Sequence, residues 1–213
     1  MKHFLSLMSL AIAVATPAAF AQRWEVGFGG GGSFLTSETI TSPAGNADAT
    51  RNPAWVVSAW LDNNIGSGLF GGELRYDHEM GDLKLSSGGT STTFASQSNA
   101  VHYDFLFNFT SSESAVRPFV AAGGGVKWYS GTGTEQPFQP LSNIAVFSDV
   151  RDLRAMASVG AGVKFNIAKS TTLRLEVHDY MTPFPSKLIA PVGGSVGGWL
   201  QDIVVSAGLS FSF

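Results

Sequence analysis

Three short segments of the chain place residues of opposite charge at every second position. They are Glu73 with Arg75, His102 with Asp104, and Arg174 with Glu176 and His178. In an extended chain, residues two apart point to the same side, so each segment would project its charges together. A carboxylate beside an arginine or a histidine can form a salt bridge, line a path for ions or transfer a proton. Which of these three roles applies depends on the secondary-structure elements that carry the residues.

Catalysis needs a more specific arrangement. His178, Asp179 and Ser186 are close in sequence and supply the residue types of a hydrolase that acts on lipid acyl chains. The chain lacks the His-x-Ser signature of lipid A deacylases, and serine is common throughout it. We expect no enzyme and no catalytic residues.

Cofactor and metal motifs are equally weak. Residues 27–32 have the GxGxxG spacing, but Ser33 and a polar segment follow where a dinucleotide site needs a helix. Residues 62–66 lack the closing glutamate of a calcium loop and are typical of a turn. With four histidines and no cysteine, the sequence indicates no structural metal. We expect no cofactor.

A period of two runs through eight segments that together contain the charged pairs. The segments are 24–34, 55–61, 70–76, 101–109, 120–128, 153–165, 173–177 and 202–213. One face of each is apolar and the other is mostly Gly, Ser and Ala with a few charges, which suits a narrow interior rather than a solvated surface. Aromatic residues recur at the segment ends, as in the girdles of membrane barrels. They are Trp24, Phe34, Trp55, Phe109, Trp128, Phe165 and Phe213.

The connections between these segments alternate in length. Short gaps at 63–68, 110–116 and 168–171 alternate with long polar ones at 36–53, 79–97, 130–149 and 182–199. Turns on one side of the membrane and loops on the other are typical of outer-membrane barrels. We therefore predict an all-β fold: a transmembrane, antiparallel, up-and-down barrel of eight strands. Asp179 would face outward in this register, so we place it beyond the rim or after a bulge.

The N-terminal segment is predicted to be a cleaved signal peptide, residues 1–21. Lys2 and His3 precede an apolar run that is too short to span a bilayer, and Ala19-Phe20-Ala21 fits a cleavage site. The barrel domain would then comprise residues 22–213. Only 14% of the residues are charged and the formal net charge is −3, so nucleic acid is not expected as a partner.

Residues 202–213 (DIVVSAGLSFSF) resemble the C-terminal signal of outer-membrane proteins, carried here by Leu209, Phe211 and Phe213. Residues 117–126 (RPFVAAGGGV) and 173–180 (LRLEVHDY) resemble strands of small barrels of the OmpA/OmpX type. The resemblance implies a location in the outer membrane of a Gram-negative bacterium. It also implies contact with outer-membrane lipids, and with periplasmic chaperones and the barrel-insertion machinery during export. We expect a monomer without a peptidoglycan-binding domain.

Inside so narrow a barrel, the seven charged residues of the three segments would form a salt-bridge network that fills the lumen. The alternative is a selectivity lining for a narrow channel or transporter of small solutes. We expect a protein that stabilises the envelope and displays its outer loops. Those loops include an apolar stretch at 137–141 whose aromatic residue is a candidate adhesive contact. A lipid-modifying enzyme is the third possibility.

Overall fold

The computed structural model describes residues 24–136 and 138–213, so the predicted signal peptide lies outside the described residues. Within those ranges the chain forms fifteen strands. They are β1 (Trp24–Leu35), β2 (Glu38–Ser42), β3 (Gly45–Arg51), β4 (Ala54–Ile65), β5 (Phe70–Met80), β6 (Leu83–Ser87), β7 (Thr90–Phe94), β8 (Ser96–Asn108), β9 (Val116–Gly131), β10 (Ala145–Phe147), β11 (Arg151–Ala168), β12 (Thr171–Pro183), β13 (Ile189–Pro191), β14 (Ser195–Val196) and β15 (Trp199–Ser212). No helix among the described residues is long and apolar enough to cross a membrane.

Eight of these strands close into an antiparallel barrel, which confirms the predicted fold. The order around the barrel is β1, β15, β12, β11, β9, β8, β5 and β4. β1 closes the cylinder because it pairs with β4 on one side and with β15 on the other. Every barrel strand is therefore paired on both edges, which leaves the sheet without a free edge.

The alternation of residue types produces an outer wall that is apolar and an interior that is polar. Phe105 is 71% exposed on the outer wall, whereas Asp104 before it is fully buried in the lumen. The same alternation holds on β5, where Leu74 is exposed between the buried charges of Glu73 and Arg75. This pattern is the reverse of a soluble barrel, in which the interior is the apolar side.

Three short turns join barrel strands at one end, which we call the turn end. The first was predicted at 63–68, but β4 continues to Ile65 and the turn occupies 66–69. Gly66 and Gly68 adopt φ angles of 61° and 82°, and this left-handed conformation suits glycine, which has no Cβ. Because the turn starts late, Asp62 and Asn64 remain in the strand and point into the lumen, buried at 0% and 4% exposure.

The four long connections at the opposite end, the loop end, are folded rather than irregular. The structure differs here from the predicted loops, because seven additional strands form within these connections. β14, β2, β3, β6 and β7 make a five-stranded sheet in that order, and β10 pairs with β13. We call these seven strands and their connecting residues the cap.

A separate hydrophobic core holds the cap together and joins it to the barrel. Its buried members come from all four long connections and from the ends of the adjoining barrel strands. They are Ile40, Ala47, Ala49, Leu83, Leu85, Phe94, Tyr129, Ile144, Ala145, Phe147, Phe184, Leu188, Ile189 and Leu200. The sequence did not reveal this core because the cap strands are only two to seven residues long. Such short segments show too few alternations to stand out.

The bulge expected before Asp179 is absent, whereas its placement at the membrane rim stays a prediction. This residue lies within β12 and pairs in regular register with Val159 and Ile203. The register shift between β11 and β12 lies elsewhere, between Asn166 and Ala168. With no bulge to turn it inward, the alternation places Asp179 on the outer wall, where it is partly exposed.

Candidate functional site

The middle of the lumen holds an interlocked set of charges. Arg75 contacts Glu176 at 2.5 Å (Nη1 to Oε1) and Asp77 at 3.1 Å (Nε to Oδ1). Arg174 contacts the other oxygen of Glu176 at 2.5 Å, and it also pairs with Glu73. All five side chains are buried to 1% exposure or less, so each charge is compensated by its neighbours rather than by water.

Two histidines extend this network across the lumen. His102 lies between two carboxylates, with Nδ1 at 3.1 Å from Asp104 and Nε2 at 3.4 Å from Asp77. The hydroxyl of Tyr180 donates a hydrogen bond of 2.7 Å to Asp77. His178 is 3.8 Å from Asp104 and 3.5 Å from Glu176, which connects it to both sides of the network. The seven charged residues singled out in the sequence therefore lie in one connected group.

A second layer of charge lies nearer the turn end. Lys164 Nζ is 2.6 Å from Asp62 and 3.6 Å from Glu25. Arg117 approaches the other oxygen of Glu25 at 3.5 Å and donates a hydrogen bond of 3.2 Å to Asn64. A polar cavity of about 310 Å³ opens beside Glu25 and Arg117 at this end.

A third layer closes the lumen at the loop end. Lys127 Nζ lies 2.5 Å from Asp202 and 2.7 Å from Glu79. Arg51 reaches down from the cap strand β3 and contacts the same two carboxylates, at 2.6 Å to Glu79 and 2.8 Å to Asp202. Burial alone would lower the pKa of Arg51, but Asp202 and Glu79 raise it above its ordinary value. Two cations thus face two carboxylates beneath the cap.

Sequence reasoning left these two outer layers out of the network. Arg51 lay in a predicted loop and Asp62 in a predicted turn, so neither was assigned to the lumen. Lys127, Lys164 and Asp202 were on the inward face of predicted strands, and the alternation could have identified them. Charge alternation within one strand was the signal used, and these residues pair only across the barrel.

Trp60 is the largest unforeseen residue of the lumen. It is 3% exposed, and the guanidinium groups of Arg75 and Arg174 lie 5.2 and 5.1 Å from its ring centre. A Cβ at Gly27 or at Gly208 would overlap this ring. Gly27 and Gly29 on β1 and Gly208 on β15 make room for the indole.

The residues considered for catalysis do not converge. His178 is buried in the lumen, whereas Asp179, the next residue of the same strand, lies on the outer wall. Ser186 lies beyond the end of β12 and accepts a hydrogen bond of 3.1 Å from Arg154. Among residues 24–136 and 138–213, no cluster of three or more His, Asp or Glu side chains is arranged to hold a metal ion.

The comparison with known families agrees with this architecture. The sequence profile described as "outer membrane protein beta-barrel domain" matches residues 4–211. The chain belongs to this family. It is an integral protein of the outer membrane of a Gram-negative bacterium, as the sequence predicted. A search of curated proteins gave no match for this outer membrane β-barrel domain.

Solved structures similar to this outer membrane β-barrel domain share its fold at low sequence identity. Neisserial surface protein A is 12% identical with a TM-score of 0.58, covering 91% of this chain and 99% of the other. OprG from Pseudomonas aeruginosa is 11% identical with a TM-score of 0.55, covering 91% and 97%. AlkL is 14% identical with a TM-score of 0.51, covering 93% and 94%. At these identities the likeness concerns the fold alone.

The outer wall of the outer membrane β-barrel domain carries the features of a lipid-facing surface. Aromatic side chains mark both ends, with Trp24 and Phe213 at the turn end and Phe34 and Trp55 at the loop end, all between 44% and 76% exposed. Near the loop end, Asn99 Oδ1 accepts hydrogen bonds from Tyr76 at 2.7 Å and from His78 at 2.8 Å. Polar side chains that satisfy one another in this way suit the interfacial region of a membrane.

Proposed function

We propose that this protein is a closed outer-membrane anchor that presents a folded extracellular surface for recognition and stabilises the envelope. The cap carries this proposal. Loops that only solvate a rim need no shared interior, yet all four long connections here contribute to one buried apolar cluster. A surface with its own core keeps its shape, and a preorganised surface loses less conformational entropy on binding.

The lumen supports a closed anchor rather than a pore. Its charges form three layers of ion pairs, and Arg51 connects the uppermost layer to the cap. A conducting pore needs a continuous aqueous path with sites that an ion can enter and leave. Here the carboxylates and cations of the middle layer are matched with each other at 2.5–3.4 Å.

Conductance across a planar bilayer tests the closed state. We expect no steady current from the wild-type protein. A steady current that changes in Glu73→Ala or Arg75→Ala, but not in the outer-wall control Leu74→Ala, would contradict the proposal. Leu74 lies between the two charges on β5 and faces outward, so its replacement leaves the lumen unchanged.

The alternative is a narrow channel for small solutes. The observation in its favour is the polar cavity of about 310 Å³ at the turn end, which gives access to Glu25 and Arg117 from the periplasm. The same conductance measurement separates the two functions. We further propose that the protein is not an enzyme, because the candidate His178, Asp179 and Ser186 are on different sides of the wall or beyond it.

A further inference from the structure

The charges of the lumen are not balanced by arginine and lysine alone. Each of the two outer layers pairs two carboxylates with two cations. The residues concerned are Glu25, Asp62, Arg117 and Lys164 at the turn end, and Glu79, Asp202, Arg51 and Lys127 at the loop end. A further buried carboxylate, Asp152, is paired with Arg154 at 2.6 Å. The middle layer, in contrast, has four buried carboxylates and two guanidinium groups. They belong to Glu73, Asp77, Asp104 and Glu176, and to Arg75 and Arg174. The described part of the lumen therefore has two more carboxylates than arginine and lysine side chains.

Asp104 shows where this excess lies. Its side chain is fully buried, and no arginine or lysine nitrogen of the described residues lies within salt-bridge distance of its carboxylate. The other three carboxylates of the middle layer each contact at least one guanidinium group. Asp104 instead accepts a hydrogen bond of 3.1 Å from Ser158 and has two histidines as neighbours. The nearest groups able to carry a compensating positive charge are therefore the two imidazoles.

Both histidine rings lie between carboxylates. His102 has Asp104 at 3.1 Å from Nδ1 and Asp77 at 3.4 Å from Nε2. His178 has Asp104 at 3.8 Å from Nδ1 and Glu176 at 3.5 Å from Nε2. A neutral imidazole has one N–H and one lone pair, so one of its nitrogens would place the lone pair beside a carboxylate. A protonated ring has an N–H at both nitrogens. The arrangement therefore fits the protonated form of both rings.

The other charged and titratable groups around the rings are already engaged. Arg75 lies opposite His102 on β5, but its guanidinium contacts two carboxylates. From β12, Tyr180 donates its hydroxyl hydrogen to Asp77, and its oxygen is 3.3 Å from His102 Nε2. Lys127 lies 5.5 Å from the ring centre of Tyr180 and pairs with the carboxylates of the loop-end layer. The residues paired with the two histidines on the remaining neighbouring strands are neutral: Gly125 on β9, Gly160 on β11 and Val204 on β15. None of these elements supplies a further cation to Asp104.

We propose that the middle layer is a pH-sensitive switch: His102 and His178 each bind a proton in the closed barrel, and loss of these protons destabilises it. This inference goes beyond the proposed function and holds whether or not the cap recognises a partner. With both rings protonated, the middle layer has four carboxylates and four cations. Without the two protons, two buried negative charges have no partner, which is costly where water is excluded. The closed state therefore depends on two bound protons.

The proposal determines how stability changes with pH. A histidine in an unfolded chain has a pKa of about 6.5, so above about pH 7.5 both rings are neutral in the unfolded protein and charged in the folded one. The folded state then binds two more protons than the unfolded state, so the free energy of unfolding falls as the pH rises. While both rings keep their protons, the equilibrium constant for unfolding should rise about a hundredfold per pH unit. Below the unfolded pKa the contribution of the two rings is fully present.

Urea unfolding of the barrel in lipid vesicles, from about pH 7.5 upward, measures this slope. Asp104→Asn keeps the shape of the side chain and removes one negative charge. The folded variant should therefore hold one proton fewer, and the rise should fall to about tenfold per pH unit. Ser158→Ala is the matched control, because it removes a hydrogen bond to the same carboxylate but no charge. It should keep the hundredfold rise of the wild type.

Nitrogen-15 NMR of histidine-labelled wild-type protein in nanodiscs provides a second measurement that needs no variant for its readout. At about pH 7.5, where an ordinary histidine is mostly neutral, both ring nitrogens of His102 and of His178 should carry a proton. The spectrum decides the charge state even if Asp104→Asn fails to fold.

Two results would overturn the switch. One is a wild-type stability that does not change with pH, and the other is a spectrum of neutral rings. An unchanged hundredfold rise in Asp104→Asn would place the protons on other groups of the lumen, such as the carboxyl of Asp62, and would also contradict the proposal. The closed anchor is tested separately, by the absence of a steady current at neutral pH. A failure of the switch and a failure of the proposed function are therefore distinguishable.

Discussion

Gly27 and Trp60 illustrate how single positions limit the lumen. The indole of Trp60 fills the space that a side chain at Gly27 would need, and the guanidinium groups of Arg75 and Arg174 lie 5.2 and 5.1 Å from its ring centre. Both arginines are held by Glu176, which limits the room into which the ring could shift. The tryptophan at position 60 of β4 therefore requires a glycine at position 27 of β1.

We expect Gly27→Ala to destabilise the barrel by about 1–3 kcal/mol, the usual cost of overpacking a well-packed interior. Gly32→Ala is the matched control, since a Cβ there would meet its nearest neighbour, Ala54 O, at an ordinary 3.7 Å. Urea unfolding of both variants in lipid vesicles, followed by tryptophan fluorescence, measures the difference. Equal stability of the two variants would show that Trp60 moves freely.

Lys127 is a second residue with a large expected effect. It is fully buried and contacts Glu79 and Asp202, so Lys127→Met leaves two carboxylates with Arg51 alone. Removing one partner of a buried ion pair costs about 3–5 kcal/mol. Lys187→Met, at an exposed position of the cap, should change stability by less than about 0.5 kcal/mol. The same unfolding assay checks both, and a small effect at Lys127 would mean that water reaches this layer.

At the residue level, the sequence predicts which side chains line the lumen only where inward and outward residues alternate within a predicted strand. Glu73 and Arg174 could be assigned because each lies two residues from an opposite charge on the same face of a predicted strand. Arg51 could not be assigned to the lumen, because its side chain enters from a short cap strand that was predicted to be part of a loop. Long-range pairing of this kind depends on the tertiary fold and has no local signal.

The cap is the element whose stability should be separable from that of the barrel. Leu85 is 1% exposed in the cap core, and its truncation to alanine should cost about 2–5 kcal/mol through lost burial and the cavity left behind. We expect Leu85→Ala to accelerate amide exchange in β2, β3 and β6 while the barrel strands stay protected. Thr90→Ala, on the exposed end of β7, serves as the control. Loss of protection throughout the barrel would show that the two parts unfold together.

The strands of the barrel and the strands of the cap differ in how well the sequence predicts them. Each barrel strand has 11 to 18 residues, so several alternations of apolar and polar residues identify it. β10 and β14 have three and two residues, which is below what a period of two can indicate. Their pairing depends on contacts with distant segments, as for β14 with β2.

The terminal strand carries a prediction about export. Phe213 is 61% exposed, and its N–H donates a 3.1 Å hydrogen bond to Trp24 O. We propose that Leu209, Phe211 and Phe213 on β15 are read by the barrel-insertion machinery. Phe213→Ala should then lower the amount of heat-modifiable protein in outer-membrane fractions several-fold. Phe109→Ala, which removes a similarly exposed aromatic at the turn end, should lower it much less. Equal losses would assign Phe213 to the aromatic girdle alone.

The whole molecule combines two interiors of opposite character. The barrel has a polar interior of ion pairs within an apolar wall, whereas the cap has an apolar interior and a polar surface. Each suits its surroundings, since one is enclosed by lipid and the other by water. Arg51 crosses the boundary, belonging to the cap by its backbone and to the lumen by its side chain.

The pairing of β1 with β15 has a consequence for biogenesis. Ser210 donates a hydrogen bond of 3.2 Å to Glu25, although 185 residues separate them along the chain. Before β15 pairs with β1, the open sheet would expose two unpaired edges and its ionised side chains to hydrocarbon, which is costly. Closure therefore requires two strands that lie far apart along the chain to meet, and so long a loop closure makes the step slow. The unclosed chain must be kept from aggregating throughout that interval.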